Sequence, residues 1–187
     1  ATGLTAVGAA NTLTTVAGIP FYQGDSGSIY THDVSGTDSA ATENTAYGFN
    51  ALDAITTGDN NSAFGKSALT SNTTGLHNTG IGRESLRDNT TASGNTALGQ
   101  SSMAANTTGT RNLAIGFAAY NSSDTENDNM AIGYNAMTTN TAGGTKNIAI
   151  GNYALDAQTS GDTNVAIGYD AMTSNTTSSE NTAVGTQ

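Results

Sequence analysis

The sequence predicts an all-β protein: a parallel β-roll, or β-solenoid, of about nine 17-residue coils with an irregular N-terminal segment. Three observations predict it. Asparagine opens the same phrase at Asn44, Asn61, Asn78, Asn95, Asn112, Asn129, Asn147, Asn164 and Asn181, always 17 residues apart except for one step of 18. A period this short marks a solenoid. Counting the Asn as position zero, position four is always glycine: Gly48, Gly65, Gly82, Gly99, Gly116, Gly133, Gly151, Gly168 and Gly185. Position three is always apolar: Tyr47, Phe64, Ile81, Leu98, Ile115, Ile132, Ile150, Ile167 and Val184. Such a β-branched and aromatic column suits a strand.

Composition alone points the other way. Leu, Ile, Val and Phe make up 27 of 187 residues, and the net charge is -10, a profile that ordinarily means disorder. In a stacked array, however, neighbouring coils supply most of each unit's core and backbone partners. The chain contains no cysteine, so disulfides and thiolate metal sites are excluded. No run of apolar residues is long enough for a membrane-spanning helix, so no membrane insertion is expected. Five Lys and Arg against fifteen Asp and Glu argue against nucleic acid as a partner. The start at Ala1, without an initiator Met or basic leader, suggests a processed product or an excerpt.

Residues 1–43 do not keep the period and are read as a cap or docking segment. Leu4-Thr5-Ala6-Val7-Gly8 echoes the repeat phrase, and Gly18 to His32 mixes aromatics, turn residues and the only proline. An open array needs such a segment to protect its unpaired strand edge. Residues 44–187 form the repeat domain. There, position two is small in every unit, from Ala46 and Ala63 through Gly80 to Ala183. Strand alternation therefore gives one tight face at positions two and four, and one large apolar face at positions one and three. Positions seven and eight pair a small residue with a large one, as in Ala51-Leu52, Ala119-Tyr120 and Ala171-Met172, and predict a second strand. Phrases such as Asn72-Thr73-Thr74-Gly75 and Asn106-Thr107-Thr108-Gly109 predict the closing turn, and the doubled Gly143-Gly144 places the one extra residue there. Nine coils stacked roughly 4.8 Å apart make a rod about 40 Å long.

Such a roll is too narrow to hide two large apolar columns, at positions three and eight, among so many small residues. The spare stripe is expected to meet another copy of the chain. Position one sharpens this, changing from Thr45, Ser62, Thr79 and Thr96 to Leu113, Met130, Ile148 and Val165, so the contact is driest in the C-terminal half.

The phrase Asn-x-Ala-Ile-Gly resembles the head repeat of trimeric autotransporter adhesins of the YadA type, and the 17-residue form with Asn-Thr-Thr-Gly is similar to repeats of phage tail-fibre proteins. The resemblance covers residues 44–187 and implies a left-handed roll, a homotrimer and a surface role. The period departs from the typically shorter adhesin unit, and no coiled-coil heptads, membrane anchor or chaperone domain accompany it.

Each candidate site has a plainer alternative. The stacked Asn are read as an internal amide ladder, which also accounts for glycosylation sequons at Asn72, Asn89, Asn106 and Asn175. His32 and His77 have no second ligand at metal spacing, and Asp53, Asp59, Asp156 and Asp162 lack the calcium-roll phrase, so no metal or cofactor is expected. No nucleophile, P-loop or acid–base pair emerges, and an enzyme is not expected. The Thr pairs at positions twelve and thirteen, such as Thr73-Thr74, offer a weaker ice-binding reading, interrupted at Asp124 and Ala142. The reading is a non-enzymatic rod of a homotrimeric extracellular virion fibre, docking through residues 1–43 to another virion protein and serving attachment to a host receptor. Variable position five, from Phe49 to Tyr169, is the candidate recognition rim if it faces solvent, and its aromatic members are equally suited to pack between chains. A bacterial adhesin head on a cell surface and a head-to-tail filament subunit are the alternatives.

Overall fold

The computed structural model describes residues 22–23, 28–30, 40–140 and 143–186. Eleven short strands follow in chain order: β1 (Tyr22–Gln23), β2 (Ile29–Tyr30), β3 (Thr45–Tyr47), β4 (Ser62–Phe64), β5 (Thr79–Ile81), β6 (Thr96–Leu98), β7 (Leu113–Ile115), β8 (Met130–Ile132), β9 (Ile148–Ile150), β10 (Val165–Ile167) and β11 (Thr182–Val184). They make one sheet whose spatial order is the sequence order. From β2 onward every pairing is parallel, and equivalent repeat positions face each other, as Ala46 faces Ala63 and Ile150 faces Ile167. This is the β-solenoid the period predicts.

The first strand pair differs. β1 runs antiparallel to β2, with Tyr22 opposite Tyr30, and so occupies the outer edge of the stack. β2 pairs with β3 in the parallel sense, with Ile29 opposite Thr45 and Tyr30 opposite Ala46, so the parallel stack begins one strand before the exact repeat. The remainder of the expected cap, including the echo at Leu4 to Gly8, lies outside the described residues.

From β3 to β11 each strand stops after three residues because the glycine that follows takes a φ between +129° and +140°. A Cβ on any of these glycines from Gly48 to Gly168 would lie 2.1–2.6 Å from the carbonyl oxygen of the equivalent glycine one coil on. The column thus lets two backbones touch at a corner of the coil.

The second strand predicted at positions seven and eight is absent. That part of the coil is a turn, in which position eight adopts left-handed backbone: Leu52 has φ +56°, Leu69 +52°, Tyr120 +54° and Leu155 +51°. Strand alternation would send neighbouring side chains to opposite faces. Here Ala51 and Leu52, like Ala68 and Leu69, are both fully buried, and a left-handed kink is what turns both inward. The conformation costs about 1–2 kcal/mol per residue. Burying a Leu or Met side chain returns about 1.5–3 kcal/mol. Inter-coil bonds from Leu52 N–H to the Ala68 carbonyl (3.0 Å) and from Ala54 N–H to the Thr70 carbonyl (3.1 Å) add to that side of the balance.

The core is therefore the alanine column at position two, with the alanine and the larger side chain at positions seven and eight. It fills the coil, and the position-three column has no place in it.

Candidate functional site

The interior is organised by amides. Each repeat Asn accepts the backbone N–H of its successor through Oδ1, as in Asn61 to Asn44 (2.8 Å), Asn112 to Asn95 (2.9 Å) and Asn181 to Asn164 (3.0 Å). Its Nδ2 crosses the coil to a carbonyl in the closing turn, Asn95 reaching Gly109 at 2.7 Å and Asn147 reaching Gly161 at 2.8 Å. The ladder runs through Asn44, Asn61, Asn78, Asn95, Asn112, Asn129, Asn147 and Asn164, all buried, to the half-buried Asn181.

A second ladder at position eleven was read from sequence only as turn chemistry. Asn89 Nδ2 donates to Asn72 Oδ1 (2.8 Å) and Asn106 Nδ2 to Asn89 Oδ1 (3.1 Å). Full burial and these bonds remove Asn72, Asn89 and Asn106 as glycan acceptors in the folded chain. The identical spacing of Asn72, Asn89 and Asn106 was the available signal, masked by reading each phrase as a local turn.

Ser123 breaks this second ladder, and Asn106 Oδ1 is left buried without a partner. Glu126 stands where other coils carry Gly, Ala or Ser, and its Oε2 accepts from the Ser123 hydroxyl (2.8 Å) and the N–H groups of Asp124 (2.9 Å) and Thr125 (3.0 Å). Its Oε1 accepts from Gly143 N–H at 3.1 Å, inside the single 18-residue coil. The inserted residue and the carboxylate are thus bonded to each other across the coil boundary. Burial alone would push the Glu126 carboxyl up, but the Ser123 hydroxyl and the surrounding backbone N–H groups outweigh it and hold the carboxyl below its ordinary value. Close by, the Tyr120 phenol is pushed up by burial and receives Asn129 Nδ2 (2.5 Å) and Asn140 Nδ2 (3.1 Å).

The polar columns are committed to the stack as well. Position-twelve hydroxyls donate to the next coil, Thr56 to the Thr73 carbonyl (2.9 Å) and Thr73 to the Thr90 carbonyl (3.0 Å). Asp59 and Asp162 each accept a backbone N–H from the preceding coil, of Thr42 and Thr145, at 2.7 Å. Among the described residues no group of three or more His, Cys, Asp or Glu side chains is placed to hold a metal. His77 is exposed, and His32 lies outside the described residues.

The outer face of the sheet is different: it is apolar and uncovered. Tyr47, Phe64, Ile81, Leu98, Ile167 and Val184 are exposed, and Ile115, Ile132 and Ile150 are half-buried. Beside them run the position-one residues, including Leu113, Met130, Ile148 and Val165, and beyond them the position-five rim. No charged residue occupies position one or three in any repeat. Of the nine aromatic side chains described, only Tyr30 and Tyr120 are buried; Tyr47, Phe49, Phe64, Phe117, Tyr134, Tyr153 and Tyr169 lie on or beside this face. Tyr47 stacks on Phe64 with ring centres 6.5 Å apart, and Phe117 on Tyr134 at 5.3 Å.

No family model, curated protein or solved structure matches the chain.

Proposed function

We propose that the chain is the rod of a homotrimeric extracellular fibre, a non-enzymatic part of a phage tail or capsid fibre that serves attachment to a host surface. One observation carries the reading. Position three is apolar in all nine repeats although the folded chain leaves that column exposed or half-exposed. A solvent-facing column under no packing constraint admits charged residues, and this one has none. A second copy laid along the face covers positions one and three at every coil, and closed symmetry joins three such faces about one axis. The antiparallel β1 favours a closed trimer over a filament, since it blocks parallel addition at the outer edge of β2. Residues 1–43 then serve to dock the rod to another fibre protein.

Light scattering on the whole chain tests this. A mass constant with concentration and near three times 18.7 kDa supports the trimer, and Ile150→Asp is expected to reduce it to that of one chain without loss of β-structure. A constant single-chain mass for the unaltered protein overturns the reading. Mass that grows with concentration turns it to a filament.

A further inference from the structure

Two columns flank the exposed position-three stripe, position one on one side and position five on the other, and their chemistry changes in step. Where position five is Lys66, Arg83 and Gln100, position one is Ser62, Thr79 and Thr96. Where position five becomes Phe117, Tyr134 and Tyr169, position one becomes Leu113, Met130 and Val165. In the last coil both return to threonine, as Thr182 and Thr186. Ile148 shares its coil with Asn152, but there a ring is supplied one residue on by Tyr153. Only the first coil, Thr45 with Phe49, breaks the match.

The aromatic margin is continuous. Phe117 stacks on Tyr134 with ring centres 5.3 Å apart, Tyr153 meets Tyr134 edge to face at 5.4 Å, and Tyr169 meets Tyr153 in the same way at 5.9 Å. The rings thus close on one another and form a ridge along the rod. Its outer side is bare, since Phe117, Tyr134 and Tyr169 keep 45%, 42% and 53% of their surface open. With the position-three and position-one columns beside it, this half of the sheet carries an apolar strip three columns wide, of the kind that marks a protein contact.

Nothing within one chain requires the match. The position-three side chain and the glycine corner stand between the two columns, and both columns lie outside the core. Cyclic packing supplies the missing link, because copies related by rotation about an axis parallel to the rod bring one margin of each face against the other margin of the next copy. The two margins then meet at the same coil level, which is how they agree. An antiparallel pair would set position one against position one and leave position five free to vary.

We infer that the position-one column from Leu113 to Val165 of one copy packs against the ring ridge from Phe117 to Tyr169 of the next copy. Over residues 61–100 the same two margins are polar and stay wet, so the dry seam belongs to the C-terminal half. The inference rests on the trimer reading, for which it names the contact. A trimer joined in some other way would satisfy that reading and fail this one.

The chain contains no cysteine, so introduced thiols report single contacts. Full chains carrying only Ile148→Cys are co-assembled with full chains carrying only Asn152→Cys, which leaves every ring in place, and are treated with oxidant or with a short bismaleimide. Covalent pairs of one chain of each kind are expected, while either variant alone should give none. A second measurement compares self-association of Val165→Asp and Ser62→Asp, with β-structure checked in both. The first is expected to weaken association at least about tenfold, since it buries an unpaired charge. The second, on a wet margin, should change it no more than about twofold. Trimer mass without the mixed pair, pairing of Ile148→Cys chains with one another, or equal damage by the two Asp variants each overturns the seam and leaves the trimer standing. A single-chain mass for the unaltered protein overturns the trimer and the seam together.

Discussion

Two apolar columns run the length of the rod, and the chain treats them in opposite ways. Leu52, Leu69, Leu86, Met103, Tyr120, Met137 and Leu155 at position eight are fully buried, whereas Tyr47, Phe64, Ile81 and Leu98 at position three stay exposed. Hydrophobicity does not separate them, since Leu occurs in both. Backbone conformation does. Position three lies on an extended strand whose inward places are taken by alanine, while position eight sits on a left-handed turn that folds its side chain into the coil. A large side chain thus belongs to the core where the backbone turns it inward, and to the outer face where it does not.

The harshest way to break the stack is at the corner both columns share. Gly99→Ala places a Cβ 2.4 Å from the Gly116 carbonyl oxygen at a φ of +135°. Its expected cost is about 4 kcal/mol or more. Gly185→Ala keeps the unfavourable φ but has nothing within 4 Å, so its cost should be only about 1–2 kcal/mol. Chemical denaturation of the two variants measures the difference, and equal losses would mean that contact between coils is not what fixes the glycine.

The columns themselves are contrasted by Leu69→Ala and Ile81→Ala. The first is expected to lower unfolding stability by about 2–5 kcal/mol. The second should change the single chain by no more than about 0.5 kcal/mol while weakening self-association. Stability and mass measured on the same two samples test both halves. Comparable destabilisation in dissociated chains would erase the distinction.

Asn95→Ala addresses the amide ladder between the columns. It leaves the Asn112 N–H unpaired and buried and removes one of the two amides that donate to the Gly109 carbonyl, Asn106 Nδ2 keeping the other, at an expected cost of about 2 kcal/mol. Hydrogen exchange should rise first at the Asn112 amide, and a change confined to distant coils would contradict the ladder as described.

Smaller effects are expected at the ladder break. The Glu126 carboxyl is held below its ordinary value of 4.5, so its contribution to folding is complete above that pH. The contribution is lost as pH falls through the lower folded-state value. Glu126→Gln should flatten this part of the pH profile of thermal unfolding, and an unchanged slope would assign it to other carboxylates.

Much of this architecture was legible in the repeat. The glycine column and the first Asn ladder require one residue type at one place in each coil, and the alanine column a small one, because backbones meet there, the coil has little room, or an amide has to span two coils. Such constraints recur at fixed spacing and can be read without coordinates. The turn at positions seven and eight was not legible, since Ala followed by Leu suits a strand as well as a left-handed kink and the φ values of Leu52 and Leu69 leave no trace in composition. The partnership of Glu126 with Gly143 was equally hidden, because it joins two irregularities in different coils, and irregularities are what a periodic reading averages away.

By itself, then, the sequence determined the period, the parallel register and the identity of the tight corners, because stacking identical units makes every local requirement repeat. Only the tertiary structure decided which apolar column fills the coil and which faces outward, and that Tyr134, Tyr153 and Tyr169 pack edge to face in one row. Those outcomes depend on the direction of the backbone at each turn, and that direction is set by contacts between coils.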